Sequence, residues 1–486
     1  MNFDVKNKTL LQNGAFINGK WVDLKEKFKV INPANGEFLG DVSNCSVEHA
    51  NQAIEAADKA FQSWKNTLAE KRRELLLKWA NLIEENLDDL ATILTTEQGK
   101  PLNEAKGELS AGANTTAWMA EEARRIDGSV VPTMNEDHRY LVIKQPVGVC
   151  AAITPWNFPA SMITRKISPA LAAGCTIILK PSEETPFIAF ALIELARQAG
   201  FPDGVINILP TDDASSLGKV LCDSETVRKL SFTGSTAVGK TLYTQCGDTV
   251  KNISLELGGN APFIVFDDAD LETAVQNAII CKFRNAGQTC ICANRIFVQD
   301  GIYDDFMERF KVEVEKIKLG NGLDENTKMG PLINKKGHDK VKDLADDAVK
   351  NGACLITGGK THEAGERFYT PTILTDLDPS MKIFKNEIFG PVAAIYRFND
   401  EKEVIKMAND TNYGLAGYIQ TQDLGRAFRV SEGIEYGMVG VNVPSTSNSA
   451  TPFGGVKHSG VGREGSHWGI EEYVENKFVL MGGIGK

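Results

Sequence analysis

The sequence from Phe283 to Arg295 reads FRNAGQTCICANR and carries a cysteine between two kinds of local structure. The residues before it, Leu271 to Phe283, are typical of a helix, and those after it, Arg295 to Val298, are typical of a strand. A cysteine that follows a glycine-containing bend lies where backbone amides can stabilise a thiolate or a developing oxyanion. Cys290 is therefore the candidate nucleophile, although an isolated free cysteine is more often a small buried apolar residue.

Strands and helices are predicted to alternate on both sides of this stretch. The first alternation runs from Val147 to Phe232 and the second from Phe263 to about Val441, with no low-complexity linker between them. Apolar strands that alternate with helices predict a parallel sheet covered on both faces, which is a nucleotide-binding architecture. A chain of 486 residues is too long for one small core, so we expect two or three units.

The N-terminal part carries turn and helix signals. Asn-Gly pairs at 18–19 and 35–36 predict two tight hairpins. The capping-box spacing over 67–70 predicts a helix start, and Pro101 is expected to end that run before a further helix that extends to about Ile126. The apolar residues of the run recur at helical period and predict a buried stripe: Leu76, Trp79, Ala80, Ile83, Leu87 and Leu90.

Composition and charge narrow the class of protein. The content of 42% apolar and 24% charged residues is typical of a soluble globular enzyme. The formal balance of 53 − 64 = −11, with no basic cluster, gives no reason to expect a nucleic-acid or acidic-lipid surface, and no apolar run reaches the roughly 18 residues of a membrane span. The nine cysteines lack the regular spacing of a disulfide-bonded protein, and no secretory signal is recognisable. Both observations indicate a reducing compartment, the cytoplasm.

Six further segments accompany the Cys290 stretch in a fixed order: ITPWNFP at 153–159, LKPSE at 179–183, FTGS at 232–235, LELGGN at 255–260, EIFGP at 387–391 and PFGG at 452–455. Together they resemble the motifs of the aldehyde dehydrogenase superfamily. The FRNAGQTCIC run is similar to the signature of its succinate-semialdehyde dehydrogenase branch. Any one of these motifs is weak alone, whereas six in the family's order cover the chain nearly from end to end.

The resemblance implies an α/β fold of the aldehyde dehydrogenase type. Its parts would be a Rossmann-type parallel-sheet domain for the dinucleotide, an α/β catalytic domain, and a small bridging sheet that makes homodimers or homotetramers. The corresponding ranges are, in that order, 1–124 with 146–257, 258–470, and 125–145 with 471–486. The run from Lys477 to Met481 is predicted as the last strand of the bridging sheet.

The resemblance also assigns the chemistry to three residues. Cys290 would attack the aldehyde carbonyl, and the side-chain amide of Asn157 would hold the resulting oxyanion together with the Cys290 N–H. Hydride would leave for the nicotinamide ring, and Glu256 would activate the water that hydrolyses the thioester. A glutamate in an otherwise apolar strand is expected to have a raised pKa, as a base near neutrality requires.

A nicotinamide dinucleotide is the coenzyme that the resemblance implies. Lys180, Ser182 and Glu183 would lie at the adenosine ribose, and a carboxylate at 183 repels a 2′-phosphate, which favours NAD over NADP. Lys180 and Ser182 nevertheless leave room for the phosphate of NADP. The other coenzyme contacts would be Trp156, Gly234, Ser235, Leu257, Glu387 and Phe389.

Three residues match the substrate contacts of the succinate-semialdehyde branch. Arg165 and Arg284 would hold the distal carboxylate, because the planar guanidinium pairs bidentately with a carboxylate, and Ser447 would be the third contact. The segment 443–446 departs from the family's usual run. A five-carbon homologue such as glutarate semialdehyde is therefore a second candidate, beside a broader aldehyde specificity.

A competing motif lies at 234–241, where GSTAVGKT matches the phosphate-binding loop of nucleotide triphosphatases. Asp267 and Asp268 at the tip of an apolar strand resemble the aspartates that would hold magnesium there. A triphosphatase, however, would leave Cys290 and the other motifs without a role. In either class an anion would bind to amides at a helix N-terminus.

Cys292 suggests a redox switch, since two thiols separated by one residue could close a strained disulfide that removes the nucleophile. A packing role for Cys292 is the alternative. We expect no metal site, because Cys281, Cys290 and Cys292 lack a fourth ligand nearby.

Two further classes stay open. A binding protein that keeps the fold without turnover would not need Asn157, Glu256 and Cys290 together. A cysteine hydrolase would need a histidine placed by a motif beside Cys290. An assay with a panel of aldehydes separates these alternatives.

Overall fold

The fold is described by a computed structural model that covers residues 1–484 of the chain. The strands, in chain order, are β1 (Ala15–Ile17), β2 (Lys20–Val22), β3 (Lys27–Ile31), β4 (Phe38–Ser43), β5 (Ser129–Val131), β6 (Arg139–Pro146), β7 (Val149–Ile153), β8 (Thr176–Lys180), β9 (Ile206–Ile208), β10 (Val227–Thr233), β11 (Asn252–Glu256), β12 (Ala261–Val265), β13 (Ala293–Gln299), β14 (Cys354–Thr357), β15 (Thr372–Thr375), β16 (Val392–Phe398), β17 (Ala416–Gln420), β18 (Met438–Val441), β19 (Gly460–Val461) and β20 (Val474–Met481).

The α-helices are α1 (Val47–Trp64), α2 (Ala69–Glu85), α3 (Leu87–Gln98), α4 (Leu102–Glu122), α5 (Pro159–Ala173), α6 (Pro186–Ala199), α7 (Ala214–Asp223), α8 (Thr236–Cys246), α9 (Leu271–Phe283), α10 (Tyr303–Glu315), α11 (Lys335–Lys350), α12 (Lys382–Lys385), α13 (Glu401–Asn409), α14 (Leu424–Gly433) and α15 (Ser466–Glu471). Within residues 1–484, none of them combines the length and the apolar character that a bilayer-crossing helix needs.

Two large sheets form the body of the molecule. The first has eight strands in the order β19-β11-β10-β7-β8-β9-β1-β2, and its central strands from β11 to β9 are parallel. The second has seven strands in the order β14-β15-β16-β13-β12-β17-β18, all parallel except β14. Each sheet has its own buried apolar core, and the predicted alternation of strands and helices is confirmed.

A third sheet is small and antiparallel. It has the order β20-β6-β5, and β20 pairs with β6 along its whole length, from Val474 opposite Pro146 to Met481 opposite Arg139. The expected strand over 477–481 is thus part of a longer one. The division into dinucleotide, catalytic and bridging domains stays a prediction, and residues 485–486 of the last range lie outside the described residues.

Both hairpins are present, but only that at 18–19 is tight, since residues 32–37 form a longer loop at the second, and the capping box is wrong. β1 pairs with β2 around Asn18 and Gly19, whose φ angles are 49° and 78°, and β3 pairs with β4 around 35–36. Helix α2, however, begins after an N-cap at Leu68 that makes no side-chain cap hydrogen bond. The carbonyl of Thr67 accepts instead from the guanidinium of Arg72, which fixes the chain at this point.

The predicted apolar stripe extends over two helices rather than one. Helix α2 ends at Glu85 and α3 begins at Leu87, so the stripe breaks at Asn86, whose side-chain amide donates to the carbonyl of Leu82 at 2.8 Å. A side chain that hydrogen-bonds its own helix in this way competes with helix continuation. Leu90 is nevertheless buried in the same core as Trp79.

The carboxyl ends of the parallel strands of the first sheet place motif residues at one edge. Strand β7 ends shortly before Asn157, β8 ends at Lys180, β10 ends before Gly234, and β11 ends at Glu256. Because parallel strands have their carboxyl ends at the same edge of a sheet, these residues meet where such folds bind ligands.

Candidate active site

Cys290 follows a tight backbone turn. Residues Arg284–Gly287 form a 3-10 turn in which Asn285 and Ala286 have positive φ angles of 51° and 54°. This left-handed region is unfavourable for residues with a Cβ, so the turn is held by its surroundings. One such contact is the N–H of Asn285, which donates to Oε2 of Glu104 at 2.9 Å.

Two glycines let other backbone segments approach this turn closely. A Cβ built at Gly259 would overlap the carbonyl oxygen of Cys290, and one built at Gly287 would overlap the carbonyl oxygen of Gly390. Gly287 also has a φ of 73°, which favours glycine. The main chain at the cysteine therefore packs directly against two segments from elsewhere in the sequence.

Two cavities meet at the Cys290 thiol. The arginine cavity, of about 300 Å³, is lined by Arg165 and Arg284, and the tryptophan cavity, of about 200 Å³, is lined by Trp156. Both are lined by Cys290 together with Phe158 and Met162. A reacting carbon at the sulfur would therefore be reachable from both cavities.

The thiol of Cys290 keeps its proton near neutral pH. Burial raises the pKa of this thiol to about 12, and the carboxylates of Glu387 and Glu256 add to the rise, whereas Arg165 and Arg284 oppose it. Since the thiolate is the nucleophile, activation requires a base or a bound positive charge.

The side chain of Asn157 is oriented by hydrogen bonds at both ends of the residue. Its Nδ2 donates to the carbonyl of Gln288 at 3.0 Å, and its own carbonyl accepts from Asn285 Nδ2 at 2.9 Å and from Lys100 Nζ at 2.8 Å. An amide group has two N–H bonds, only one of which is used here, and Asn157 lines the tryptophan cavity.

Glu256 lies behind the cavities. It is buried at the end of β11, it is not among the described residues that line either cavity, and its Oε2 has no hydrogen-bond partner within residues 1–484. Burial raises the pKa of this carboxyl well above its usual range, Glu464 adds to the rise, and Lys166 and Arg165 oppose it. The expected direction of the pKa shift is therefore confirmed, while the role as a base stays a prediction.

Sequence reasoning missed a buried ion pair beside Glu256. Nζ of Lys166 lies 2.5 Å from Oε1 of Glu464, and the same ammonium donates to Ser231 Oγ at 3.0 Å. The two partners are 298 positions apart, so no local motif could have connected them. The only signal in the sequence was that Lys166 follows Arg165 on the predicted helix.

Six of the predicted coenzyme residues line the tryptophan cavity: Trp156, Gly234, Ser235, Leu257, Glu387 and Phe389. Lys340 of α11 lines it as well and was missed. Oε1 of Glu387 accepts the N–H of Gly259 at 2.9 Å, and burial raises the pKa of Glu387 to about 7, although that N–H bond and the Lys340 charge oppose the rise.

Lys180, Ser182 and Glu183 lie at the end of β8, apart from the residues that line this cavity. Nζ of Lys180 pairs with Oε2 of Glu183 at 2.9 Å, and the Glu183 side chain is 44% exposed, so it can rearrange. Ser182 is buried, and its Oγ accepts the N–H of Glu184 at 3.2 Å.

Arg165, Arg284 and Ser447 line the arginine cavity together. Nη2 of Arg165 donates to Ser447 Oγ at 2.5 Å, while its Nη1 is buried without a hydrogen-bond partner within the described residues. The guanidinium of Arg165 stacks 4.1 Å from the ring centre of Phe453, and that of Arg284 lies 5.3 Å from the ring centre of Phe158. The cavity therefore presents two positive charges with unused hydrogen-bond donors, which suits an anionic group.

Ser445 and Glu104 also line this cavity and were missed by sequence reasoning. Ser445 lies in the segment 443–446 that departs from the family's run. Glu104 shares the cavity with Arg284, and burial raises its pKa, although the charges of Lys100 and Arg284 oppose the rise.

The triphosphatase interpretation is wrong. The glycine turn at 234 precedes α8 on the eight-stranded sheet, but Asp267 and Asp268 follow β12 of the other sheet. Oδ1 of Asp268 accepts from Thr421 Oγ1 at 2.8 Å and from Arg426 Nη1 at 2.7 Å, so this carboxylate is occupied in the second sheet.

Cys292 is buried, and its Sγ lies 3.4 Å from the carbonyl oxygen of Lys282. This contact agrees with a packing role. Closure of a disulfide with Cys290 stays a prediction.

The comparisons with known proteins agree with this geometry. The model of the "Aldehyde dehydrogenase family" matches residues 21–479. A glutarate-semialdehyde dehydrogenase of Pseudomonas putida is 53% identical, with 98% of this chain and 99% of that protein covered. A succinate-semialdehyde dehydrogenase [NADP(+)] of Escherichia coli is 52% identical, with 98% of this chain and 99% of that protein covered.

Among solved structures, a succinate-semialdehyde dehydrogenase from Burkholderia pseudomallei has a TM-score of 0.97 at 50% identity, with 99% of this chain and 100% of that chain covered. The agreement extends over both large sheets and the motifs at their edges. The fold class expected from the sequence is confirmed, and the chain is a member of the aldehyde dehydrogenase family.

Proposed function

We propose that this aldehyde dehydrogenase oxidises succinate semialdehyde, or a close carboxylated semialdehyde, to the dicarboxylic acid with NAD(P) as hydride acceptor. The observation that carries the proposal is the meeting of the arginine cavity and the tryptophan cavity at the Cys290 thiol. One cavity suits a carboxylate and the other suits a dinucleotide. The relatives named above for succinate and glutarate semialdehydes support the same substrate class.

The tryptophan cavity fits a nicotinamide dinucleotide by the chemistry of its residues. Trp156, Leu257 and Phe389 offer apolar walls for a flat ring, and the start of α8 at Ser235 offers N–H groups for a pyrophosphate. Glu387 offers a carboxylate for ribose hydroxyls. When bound, the coenzyme supplies the acceptor for the hydride.

In the proposed mechanism the thiol of Cys290 first releases its proton to solvent, which the charges of Arg165 and Arg284 favour. The thiolate then attacks the aldehyde carbon, while the N–H groups of the Asn157 side chain and of Cys290 stabilise the oxyanion. The guanidinium groups of Arg165 and Arg284 hold the distal carboxylate and fix the carbonyl at the sulfur. After hydride leaves, the acyl group is a thioester on Cys290. Glu256 takes a proton from the water that hydrolyses it, for which its raised pKa is suited.

We propose NAD as the preferred coenzyme, with NADP as the alternative. The carboxylate of Glu183 repels a 2′-phosphate, and its pairing with Lys180 at 2.9 Å occupies the lysine that could otherwise attract that phosphate. The Escherichia coli relative is named for NADP(+), which supports the alternative.

Initial rates with purified protein test the proposal. Succinate semialdehyde and glutarate semialdehyde are compared with butanal and pentanal, each with NAD and with NADP, by the absorbance of the reduced coenzyme. A kcat/KM at least about tenfold higher for the carboxylated aldehydes is expected from charge-assisted hydrogen bonds to the arginines. Equal kcat/KM values for butanal and succinate semialdehyde would contradict the proposal that the arginine cavity binds a carboxylate.

Self-association into dimers or tetramers is also proposed. One face of the small sheet has exposed apolar side chains, among them Val131 at 40%, Phe478 at 59% and Leu480 at 52% exposure. A cluster of exposed apolar side chains on this small sheet favours association with a second copy of the chain, which would bury them. Sedimentation velocity at micromolar concentration tests this, and a monomer at all concentrations would oppose it.

A reducing compartment such as the cytoplasm is the proposed location. Support comes from the nine cysteines of the chain, all of which are free thiols. Localisation of a tagged chain in its source cells tests it.

A further inference from the structure

A fully buried ion pair lies behind the oxyanion residue Asn157. The pair joins Nζ of Lys100, in the loop between α3 and α4, to Oε2 of Glu108 on α4. The two side chains are 0% and 1% exposed. Burying two charges is costly, and an apolar pair of similar size would fill the same space at no such cost. The pair is therefore expected to serve through the particular bonds that it makes.

The bonds of Lys100 lead to Asn157. Its Nζ donates to the Asn157 carbonyl at 2.8 Å and lies 3.8 Å from the ring centre of Phe158, which both cavities share. Asn285 Nδ2 donates to the same carbonyl at 2.9 Å. Two donors occupy both lone pairs of this oxygen, so the backbone that carries the oxyanion amide is fixed from two sides.

The bonds of Glu108 lead to helix α5. Its Oε1 accepts the N–H of Ala160 at 2.9 Å and the N–H of Ser161 at 3.2 Å. The N-cap residue of α5, Phe158, has no side chain that could cap these groups. A carboxylate from α4 therefore replaces the usual N-cap, and its negative charge is favourable at a helix start. Helix α5 carries Arg165.

We propose that Lys100 and Glu108 are a positioning pair, which sets Asn157 for the oxyanion through Lys100 and sets α5 with Arg165 through Glu108. The inference rests on the proposed function and deepens it, since it assigns residues that act through Asn157 and Arg165 without touching the reacting atoms. Both partners are needed, because either charge alone would be buried and unpaired.

Graded variants at Lys100 separate charge from hydrogen bonding. Lys100→Arg keeps both, Lys100→Gln keeps a donor, and Lys100→Met keeps neither. The double variant Lys100→Met with Glu108→Gln removes the charge that Lys100→Met would leave unpaired. The matched control is Lys106→Met, which breaks a surface pair of α4 with Asp88, where N and O are 2.6 Å apart and the side chains are 42% and 76% exposed.

The main readouts are kcat and KM for the aldehyde, coenzyme affinity by tryptophan fluorescence, and the folded fraction by circular dichroism. For Lys100→Met and the double variant we expect kcat to fall by about 10- to 100-fold, as for a displaced catalytic group. In Lys100→Met, KM and coenzyme affinity should change less than about threefold, in the range of a small packing adjustment. In the double variant, Glu108→Gln leaves α5 capped without a charge, so KM for the carboxylated aldehyde, which Arg165 holds, should rise by more than that, whereas KM for butanal should not. Lys100→Arg should recover most of kcat, and the control should match the parent.

Two further readouts keep the test independent of the semialdehyde. Hydrolysis of p-nitrophenyl acetate needs the thiol and the oxyanion donors but no coenzyme, and alkylation by iodoacetamide needs the thiol alone. Positioning predicts that ester hydrolysis falls with kcat while the alkylation rate stays at the parent's value. If the parent oxidises no carboxylated aldehyde, the proposed function fails, yet the ester and alkylation rates still decide the role of Lys100.

The inference is overturned if the folded double variant retains the parent's kcat and ester rate. It is also overturned if the loss of kcat follows the loss of folded protein, or if alkylation slows in parallel. Each of these results would mean that the pair only stabilises the fold or only controls how readily reagents reach the Cys290 thiol.

Discussion

The tryptophan cavity and the arginine cavity meet at one sulfur but are built in different ways. The residues of the first come in short runs at 155–158, 233–235, 257–258 and 387–389, most of which follow a strand end. Those of the second come from α4, α5, the turn at 284–291 and the loop at 445–453, three or four per segment but mostly separated along the sequence. Contiguous runs at strand ends are rigid and readable as motifs, whereas a dispersed wall depends on how helices and loops pack.

The sulfur belongs to both cavities, so its replacement should remove the chemistry and leave both binding functions. Cys290→Ser is expected to lower kcat by at least ~10³-fold, since a nucleophile acts as a unit with its neighbours. Coenzyme affinity should stay within about twofold of the parent's, because the change is one atom. Cys354→Ser, at an exposed thiol, is the control. Coenzyme reduction by Cys290→Ser at the parent's rate would refute the thioester mechanism.

The next largest effect is expected from a change at Glu256, which lines neither cavity. Glu256→Gln keeps the shape but loses the base, so steady-state kcat should fall by about 10²- to 10³-fold. Hydride transfer precedes the hydrolysis step, and stopped-flow absorbance should therefore still show a burst of reduced coenzyme. The control is Glu435→Gln at a surface ion pair. A variant without the burst would assign Glu256 to an earlier step.

A change confined to the arginine cavity should distinguish aldehydes by charge. Arg284→Met is expected to lower kcat/KM for succinate semialdehyde by about 10- to 100-fold, the usual value of a charged hydrogen bond. For butanal the change should be less than about threefold, because no carboxylate is lost. Equal losses for both aldehydes would mean that Arg284 holds the turn before Cys290 rather than the substrate.

A change at the far end of the coenzyme site should alter coenzyme choice alone. Glu183→Ser frees Lys180 from its 2.9 Å partner and removes the repulsion of a 2′-phosphate. The ratio of kcat/KM for NADP to that for NAD is expected to rise by about tenfold. An unchanged ratio would show that other groups select the coenzyme.

The smallest effect is expected from pH in the tryptophan cavity. The pKa of Glu387 is raised to about 7, so the group is protonated below that pH and ionised above it. The ionised form accepts ribose hydroxyls more strongly, and KM for the coenzyme should fall by about fivefold between pH 6 and pH 8. Glu387→Gln should show a flat profile over this range. If KM for the coenzyme falls with pH in the variant as it does in the parent, another group is responsible for the pH dependence.

The sequence was sufficient for the features that local spacing determines. The hairpins at 18–19 and 35–36, the strand that ends at Ile153, and the helix before Cys290 follow from turn residues and from the period of the apolar residues. The helix near Thr67 does begin at Ala69, but its capping box was wrong, because the Thr67 carbonyl accepts from Arg72, whose Nε also donates to the carbonyl of Ala172 in α5 at 2.9 Å. Tertiary contacts of this kind override local propensity.

The missed site residues share one physical reason. Lys166 with Glu464, and Lys340 with Glu387, are brought together by the packing of elements far apart in sequence. Charged residues of this kind look like ordinary surface groups until the fold shows that Lys166 and Glu464 are buried and that Lys340 lines a cavity. The two arginines were found only because they lie next to motifs, and Glu104, which lines the same cavity, was not found.

Gly259 has a practical consequence for redesign. Its missing side chain is what lets the main chain of Cys290 settle at its present depth, so a single added methyl there would misalign the reactive sulfur for every aldehyde alike. Libraries that seek new specificities can diversify Ser445, which lines the arginine cavity, while leaving position 259 untouched. Inactive clones from such a library would then report on fit to the new aldehyde and not on a dislodged nucleophile.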